Sequence, residues 1–153
     1  MLDTSEIKEL YQEVILDHNR NPRNFGEIEN YTHHARGHNP LCGDQLDLFL
    51  IIENDVIQEV KFKGSGCAIS KASASIMTTI LKGKTANEAK KIFDEFHKII
   101  TVNSDNSNEN INIGKLAVFA GVREFPARVK CASLAWHTLL NALENSSNNV
   151  TTE

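Results

Sequence analysis

The stretch from Asn39 to Asp44 constrains the fold of this chain more than any other, because it places a thiol and a carboxylate in one short turn. A single residue separates Cys42 from Asp44, and Pro40 and Gly43 punctuate the segment. Proline fixes one backbone dihedral and glycine permits a positive one, so we expect a tight turn that faces solvent. We therefore expect the rest of the chain to be organised around a thiol and a carboxylate placed together in this turn.

Two further cysteines lie downstream of this turn. Cys67 follows the glycine-rich residues 64–66, and Cys131 lies in the basic segment 128–132. Three thiolates and the Asp44 carboxylate make four ligands, the number that a tetrahedral zinc site needs. Cysteines in intracellular chains are also often small buried hydrophobic residues. Because two of the three lie beside glycines in turns, where function concentrates, we favour a shared metal or thiol site.

Composition excludes several classes of function. The 153 residues are 41% hydrophobic and 24% charged, which is typical of one soluble globular domain. The net charge is −4 and no lysine or arginine run could follow a phosphate backbone, so we expect no nucleic-acid partner. The sequence shows neither a signal peptide nor an apolar run that could cross a bilayer, and its three cysteines do not suit a secreted disulfide framework. We therefore expect a cytoplasmic protein with reduced thiols and no membrane partner.

Hydrophobic periodicity and capping residues predict helices in five places. Apolar residues recur at helical spacing near the N-terminus, and small residues after Cys67 suit a closely packed helix whose first turn would favour a thiolate. A capping box from Thr85 to Glu88 opens an amphipathic helix, and Pro126 suits the first turn of the last one. The predicted helices are residues 3–18, residues 68–81, a helix opened by Thr85, a short helix over 115–120, and a helix from Pro126 to about 143.

Two antiparallel strands are predicted after the turn, over residues 46–52 and 56–63. The segment from Gly26 to Gly37 has no periodicity and is predicted to be irregular. Its adjacent histidines, His33 and His34, would point in opposite directions, so we do not expect them to bind a metal together. Residues 103–110 are expected to form a surface loop, and residues 144–153 a disordered tail, which leaves one domain over residues 1–143.

Three motifs together resemble one known family. They are NPLCGD at 39–44, GSGCAISKASAS at 64–75 and FPARVKCA at 125–132. In this order they resemble the NifU/IscU N-terminal family of iron–sulfur cluster assembly proteins, over nearly the whole chain. Lys130 stands where scaffold-type members carry a histidine before the third cysteine, and residues 100–113 are placed as the insertion of SufU-like members. The chain therefore resembles the SufU branch of the family.

The resemblance implies a fold, a cofactor and a function. The fold is α+β, with a small antiparallel sheet of about three strands packed against several helices. The implied cofactor is zinc, held by Cys42, Asp44, Cys67 and Cys131. The implied function is sulfur transfer. A SufS-type, pyridoxal-phosphate-dependent cysteine desulfurase would give persulfide sulfur to Cys42 when the Cys42 thiolate leaves the zinc. The sulfur would then pass to a downstream iron–sulfur scaffold complex. We expect a monomer or a weak dimer.

Other interpretations of the same residues stay open. The three thiolates could hold iron or a transient iron–sulfur cluster, as a scaffold does, although Lys130 in place of a histidine argues against it. Cys42 could serve a thiol hydrolase with His38 as its base, but His38 is near only in sequence. A purely structural zinc site is disfavoured by the exposed turn. Arg128 and Lys130 could screen the negative charge of the site or simply face solvent.

Overall fold

The chain folds into helices packed on one sheet. The computed structural model describes residues 4–40, 42–101, 119, 122, 125–144 and 150–151, with side chains from residue 12 to 144 of these ranges. Its elements in chain order are α1 (Thr4–Arg20), β1 (His33–Asn39), β2 (Asp44–Glu53), β3 (Val56–Ser65), α2 (Ala68–Leu81), α3 (Ala86–Thr101), α4 (Pro126–Leu143) and β4 (Val150–Thr151).

The sheet has the order β3-β2-β1-β4. β2 pairs with β1 and with β3 in antiparallel fashion, and the two-residue β4 pairs with β1 in parallel at Gly37 and His38. The predicted α+β fold with about three antiparallel strands is thus confirmed, and β4 adds a short fourth strand. The predicted strands 46–52 and 56–63 both lie within longer observed ones.

β1 corrects the prediction that the chain is irregular up to Gly37. The inward positions of this strand are Ala35, Gly37 and Asn39, which are small or polar, so no apolar alternation marks it in the sequence. Gly37 lets α4 approach closely, because a Cβ at this position would overlap Thr138. Pairing with the next strand, β2, and packing against α4, which is distant in sequence, therefore define this strand.

The local helix predictions agree well with the structure. α2 covers the predicted residues 68–81, α4 begins at Pro126, and α1 continues two residues past the predicted end at His18. The capping box of α3 is reciprocal: the Thr85 N–H donates to Glu88 Oε1 over 2.9 Å, and the Glu88 N–H donates to Thr85 Oγ1 over 3.1 Å.

Several predictions fall largely outside the described residues. The loop at 103–110 lies wholly outside them, as does the short helix at 115–120 except for Phe119, which is buried. Of the predicted tail, Glu144 is the C-cap of α4, Val150–Thr151 form β4, and the remaining residues lie outside the described ones. Among the described helices, none combines the length and apolar character needed to span a membrane.

A hydrogen-bonded contact between α2 and α4 fixes the two helices that carry Cys67 and Cys131. The fully buried Trp136 donates from Nε1 to Ser73 Oγ over 3.2 Å, and Ser73 Oγ donates to the Ala132 carbonyl over 2.6 Å. The small residues of α2 are buried at this contact, as their pattern predicts. The core therefore holds the starts of α2 and α4 in a fixed relation.

Candidate metal centre

The site lies where the β1–β2 connection meets the N-terminal turns of α2 and α4. Atoms of Cys42, Asp44 and Cys131 that could bind a metal all lie within 4.8 Å of one another. Cys131 Sγ is 3.0 Å from Cys42 Sγ, and Cys67 Sγ is 3.9 Å from Asp44 Oδ2. The fold therefore groups Cys42, Asp44 and Cys131 and places Cys67 at their edge, beside Asp44, so that the four residues singled out from the sequence form the cluster.

The end of the β1–β2 hairpin presents Cys42 to solvent. Asn39 and Asp44 form the last pair of the ladder, so Cys42 lies in the connection between the strands. Gly43 has a φ of +71°, which confirms the positive dihedral expected there. Cys42 is exposed, whereas Asp44, two residues later, is fully buried. The turn thus separates an accessible thiol from a buried carboxylate.

The Asp44 carboxylate is held from two sides. Its Oδ1 accepts the backbone N–H of Cys67 over 2.8 Å, and its Oδ2 faces the sulfurs of the cluster. Gly66 makes room for the carboxylate, because a Cβ on Gly66 would overlap it. One oxygen is therefore occupied by the protein, while the other is available as a ligand.

Cys67 is the N-cap of α2, and its Sγ accepts the N–H of Ser70 over 3.4 Å. The hydrogen bond from the Cys131 thiol lowers the pKa of Cys67 to about 7, helped by the N–H groups of the helix start and opposed by burial. This is the direction predicted for a cysteine at a helix N-terminus. A substantial fraction of this sulfur is thiolate near neutral pH.

Cys131 is buried and lies between the other two sulfurs. Its hydrogen bond to Cys67, its burial and its contact with Cys42 raise the pKa of the Cys131 thiol. Three sulfurs and one carboxylate oxygen are donors that Zn²⁺ prefers. The residues present fit a zinc ion.

Sequence reasoning did not single out Asn39 for a role in this site. The Asn39 side chain is fully buried, and its Nδ2 lies 3.6 Å from Cys131 Sγ and 3.4 Å from Asp44 Oδ2. Its place at the start of the NPLCGD motif assigns it no role by itself, because polar residues are common beside turns.

The other residues named from the sequence lie apart from the cluster. His34 Nε2 contacts Asp47 Oδ1 at 2.9 Å, on the face of the sheet away from the core. His38 alternates with the inward-facing Asn39 along β1, so its side chain points to that same outer face. This orientation does not support His38 as the base for Cys42 in a thiol hydrolase. Arg128 is exposed, with its guanidinium 4.6 Å from the centre of the Phe125 ring.

Comparison with known proteins agrees with the motifs. The NifU-like N terminal domain family matches residues 10–145. The zinc-dependent sulfurtransferase SufU of Bacillus subtilis (strain 168) is 41% identical over 133 residues, which are 85% of this chain and 86% of that protein. The iron-sulfur cluster assembly scaffold protein IscU of Streptococcus pyogenes serotype M1 is 34% identical over 144 residues, which are 94% of this chain and 89% of that one.

A solved structure has the same architecture. FiSufU of the thermophilic Fervidobacterium islandicum AW-1 superimposes with a TM-score of 0.80 at 35% sequence identity, over 88% of this chain and 97% of that one. The resemblance drawn from the three cysteine motifs is therefore confirmed over nearly the whole length. The chain belongs to the family of NifU-like N-terminal domains.

Proposed function

We propose that this chain works in iron–sulfur cluster assembly as a zinc-dependent sulfurtransferase that accepts persulfide sulfur at Cys42. The observation that carries the proposal is the unequal exposure of the cluster. Cys42 is exposed, whereas Cys131 is 2% exposed and Asp44 is 0% exposed. A persulfide carried by another protein can reach Cys42 without unfolding β2, α2 or α4, which hold the remaining ligands.

Cys42, Asp44, Cys67 and Cys131 would hold the zinc. Bound zinc keeps cysteine sulfur deprotonated at neutral pH and shields it from side reactions. A carboxylate in place of a fourth sulfur makes a more exchangeable site than an all-thiolate one. The name of the Bacillus relative, which states both zinc dependence and sulfur transfer, supports this proposal.

The transfer itself is a thiol exchange. The Cys42 thiolate attacks the outer sulfur of a cysteine persulfide on the donor, a new sulfur–sulfur bond forms at Cys42, and the donor cysteine leaves as a thiolate. The step consumes no oxidant or reductant. Cys42 lies outside the β ladder, so its sulfur can move toward a donor while β1 and β2 stay paired.

We propose a SufS-type cysteine desulfurase as the donor and a downstream iron–sulfur scaffold complex as the recipient, in the cytosol. The persulfide of such a desulfurase is the chemical group that Cys42 would attack. The similarity to iron–sulfur assembly proteins over most of the chain supports placing both partners in that process.

A second candidate function is a scaffold that assembles an iron–sulfur cluster on Cys42, Cys67 and Cys131. The similarity to IscU of Streptococcus pyogenes favours it, and three clustered sulfurs suit a cluster as well as they suit zinc. Lys130, in place of the histidine that scaffold-type members carry there, counts against it.

The deciding experiment measures cysteine turnover by a purified SufS-type desulfurase, without reductant, in the presence of the zinc-loaded chain or its Cys42→Ser variant. We expect a large increase in turnover that depends on Cys42, together with one added sulfur on the peptide that contains it. No increase from a chain that carries one zinc would overturn the transferase proposal and favour the scaffold.

A further inference from the structure

We infer that Asn39 is a positioning residue that donates N–H hydrogen bonds to Cys131 and Asp44 and so makes Cys131 a weaker nucleophile than Cys42. The inference rests on the proposed function, because it concerns how the same four side chains hold a metal and which of them takes sulfur. Asn39 itself is not a proposed metal ligand, but its side chain contacts two of the proposed ligands.

The geometry at the end of β1 supports this role. Asn39 is the last residue of β1, pairs with Asp44 across the ladder, and has no exposed surface. Its Nδ2 is 3.6 Å from Cys131 Sγ, a usual separation for a hydrogen bond to sulfur, and 3.4 Å from Asp44 Oδ2, which is a longer and weaker contact. A carboxamide carries two N–H groups, so one amide can serve both acceptors.

Electrostatics favour this orientation of the amide. When Cys131 is deprotonated, as metal binding requires, turning the carboxamide over would place its oxygen against a thiolate and a carboxylate oxygen, where all three groups are acceptors and none is solvated. An acceptor buried without a donor is costly, and burial strengthens the repulsion. The N–H groups therefore face the cluster, and they draw negative charge from the atoms that they contact.

The consequence is a division of roles among the three sulfurs. Two of the three sulfurs accept N–H groups: the half-buried Cys67 from the Ser70 backbone, and the buried Cys131 from Asn39. A sulfur that shares its lone pairs with an N–H is a poorer nucleophile and a weaker electron donor to a metal. Cys42 is the exposed sulfur of the cluster. Asn39 thereby helps to keep Cys131 as a ligand while Cys42 reacts.

The test uses Co²⁺ as a visible probe of the thiolates. We expect Asn39→Ala and Asn39→Ser to shift the thiolate-to-cobalt charge-transfer band to lower energy, because the unshared sulfur becomes a better donor. Competition with a chelator is expected to show a loss of Co²⁺ affinity of about 10-fold or more, the usual effect of removing a partner of a metal ligand.

Asn24→Ala provides a matched control. Asn24 Nδ2 also donates a side-chain hydrogen bond, to Thr78 Oγ1 over 3.0 Å, but Asn24 lies in the connection after α1, and its described hydrogen bonds join it to α2 and β3. Its loss is expected to lower stability and to leave the cobalt band and the Co²⁺ affinity unchanged. An equal band shift in Asn24→Ala and Asn39→Ala would overturn the inference.

A second measurement needs no variant and covers the case in which Asn39→Ala does not fold. With the NMR-active cadmium isotope bound to the wild-type chain, a scalar coupling between cadmium and an Asn39 side-chain amide proton is expected, because the hydrogen bond to Cys131 transmits it. Absence of that coupling in a well-resolved spectrum would overturn the inference.

The outcomes separate this inference from the proposed function. A wild-type chain with no thiolate-to-cobalt band would overturn the metal site and the role of Asn39 together. A band that is present in the wild type and does not move in folded Asn39→Ala would overturn the role of Asn39 alone.

Discussion

The backbone N–H of Cys67 donates a hydrogen bond to Asp44 Oδ1 over 2.8 Å, which ties the first residue of β2 to the N-cap of α2. Two proposed ligands from different elements are thus joined directly. The carboxylate is oriented by the polypeptide, and its second oxygen faces the sulfurs. Binding a metal therefore needs little reorganisation of Asp44, which leads to the first two predictions.

Asp44→Ala is expected to lower zinc affinity by at least about 10-fold, because loss of even an indirect partner of a ligand usually costs that much. It is also expected to raise the rate at which an alkylating reagent modifies Cys42 in the zinc-loaded protein, since a site with three ligands holds each sulfur less firmly. Competition with a chromophoric chelator and alkylation followed by mass spectrometry measure the two effects.

Asp47→Ala is the control for Asp44→Ala. Asp47 lies on the same strand but contacts His34 and Arg36 on the outer face of the sheet. This variant is expected to keep the zinc affinity of the wild type. Unchanged affinity in Asp44→Ala as well would argue that the carboxylate is not a ligand.

Gly66→Ala is expected to disturb the same carboxylate from the other side. The added methyl group would overlap Asp44 and displace it from the Cys67 N–H, so zinc affinity is expected to fall by about as much as in Asp44→Ala. Gly26→Ala is the matched control, because Gly26 also has a positive φ (145°, against 158° for Gly66) but open space where the methyl group would lie. Both variants bear backbone strain, and equal losses of zinc affinity would contradict the steric explanation.

The elements that the sequence predicted well are those with local causes. The capping box at Thr85 and the position of Pro126 mark helix starts through contacts within one turn. α2 begins just after the glycine-rich residues 64–66 and the N-cap Cys67. β1 is not marked in the sequence because its inward residues are small or polar, and pairing with β2 together with packing against α4 defines it. Propensity cannot reveal a strand of this kind.

The candidate site was predictable in its members and not in its arrangement. The motifs and the family resemblance named Cys42, Asp44, Cys67 and Cys131. The role of Asn39 depends on the approach of α4, 92 residues away along the chain, to the end of β1. No spacing within a motif contains that information, because tertiary packing of Gly37 against α4 creates it.

Removal of the metal is expected to make the cluster sensitive to oxidation. Cys42 Sγ and Cys131 Sγ are 3.0 Å apart, so a small movement brings them to bonding distance, and Cys42 is open to reagents. After chelation, a mild thiol oxidant is therefore expected to produce an intramolecular disulfide between Cys42 and Cys131, while the zinc-loaded chain keeps its thiols.

Peptide mapping under non-reducing conditions identifies the pair that forms. Cys67→Ser is expected to retain the disulfide between Cys42 and Cys131 after chelation, whereas Cys42→Ser is expected to lose it. A product dominated by the Cys42–Cys67 pair, or by a disulfide between two chains, would contradict the prediction.

Protonation of His137 is expected to weaken the packing between α3 and α4. The His137 ring lies 5.2 Å from the centre of the Phe93 ring and 6.3 Å from that of His97. Burial, reinforced by the charge of His97, lowers the pKa of His137 below its ordinary value. The unfolded chain therefore binds the proton more readily than the folded one. The stabilising contribution of neutral His137 is present above about pH 6.5 and is lost as the pH falls through the folded-state pKa.

Urea unfolding of the wild type and of His137→Gln on either side of that pH measures the difference in stability. Proton-linked metal release, which both proteins share, cancels in the comparison. His137→Gln is expected to lose less stability on acidification than the wild type, whereas His33→Gln, a histidine substitution on β1 away from α3, is expected to behave like the wild type. Equal acid sensitivity of the wild type and His137→Gln would show that His137 stays neutral in both states or titrates equally in both.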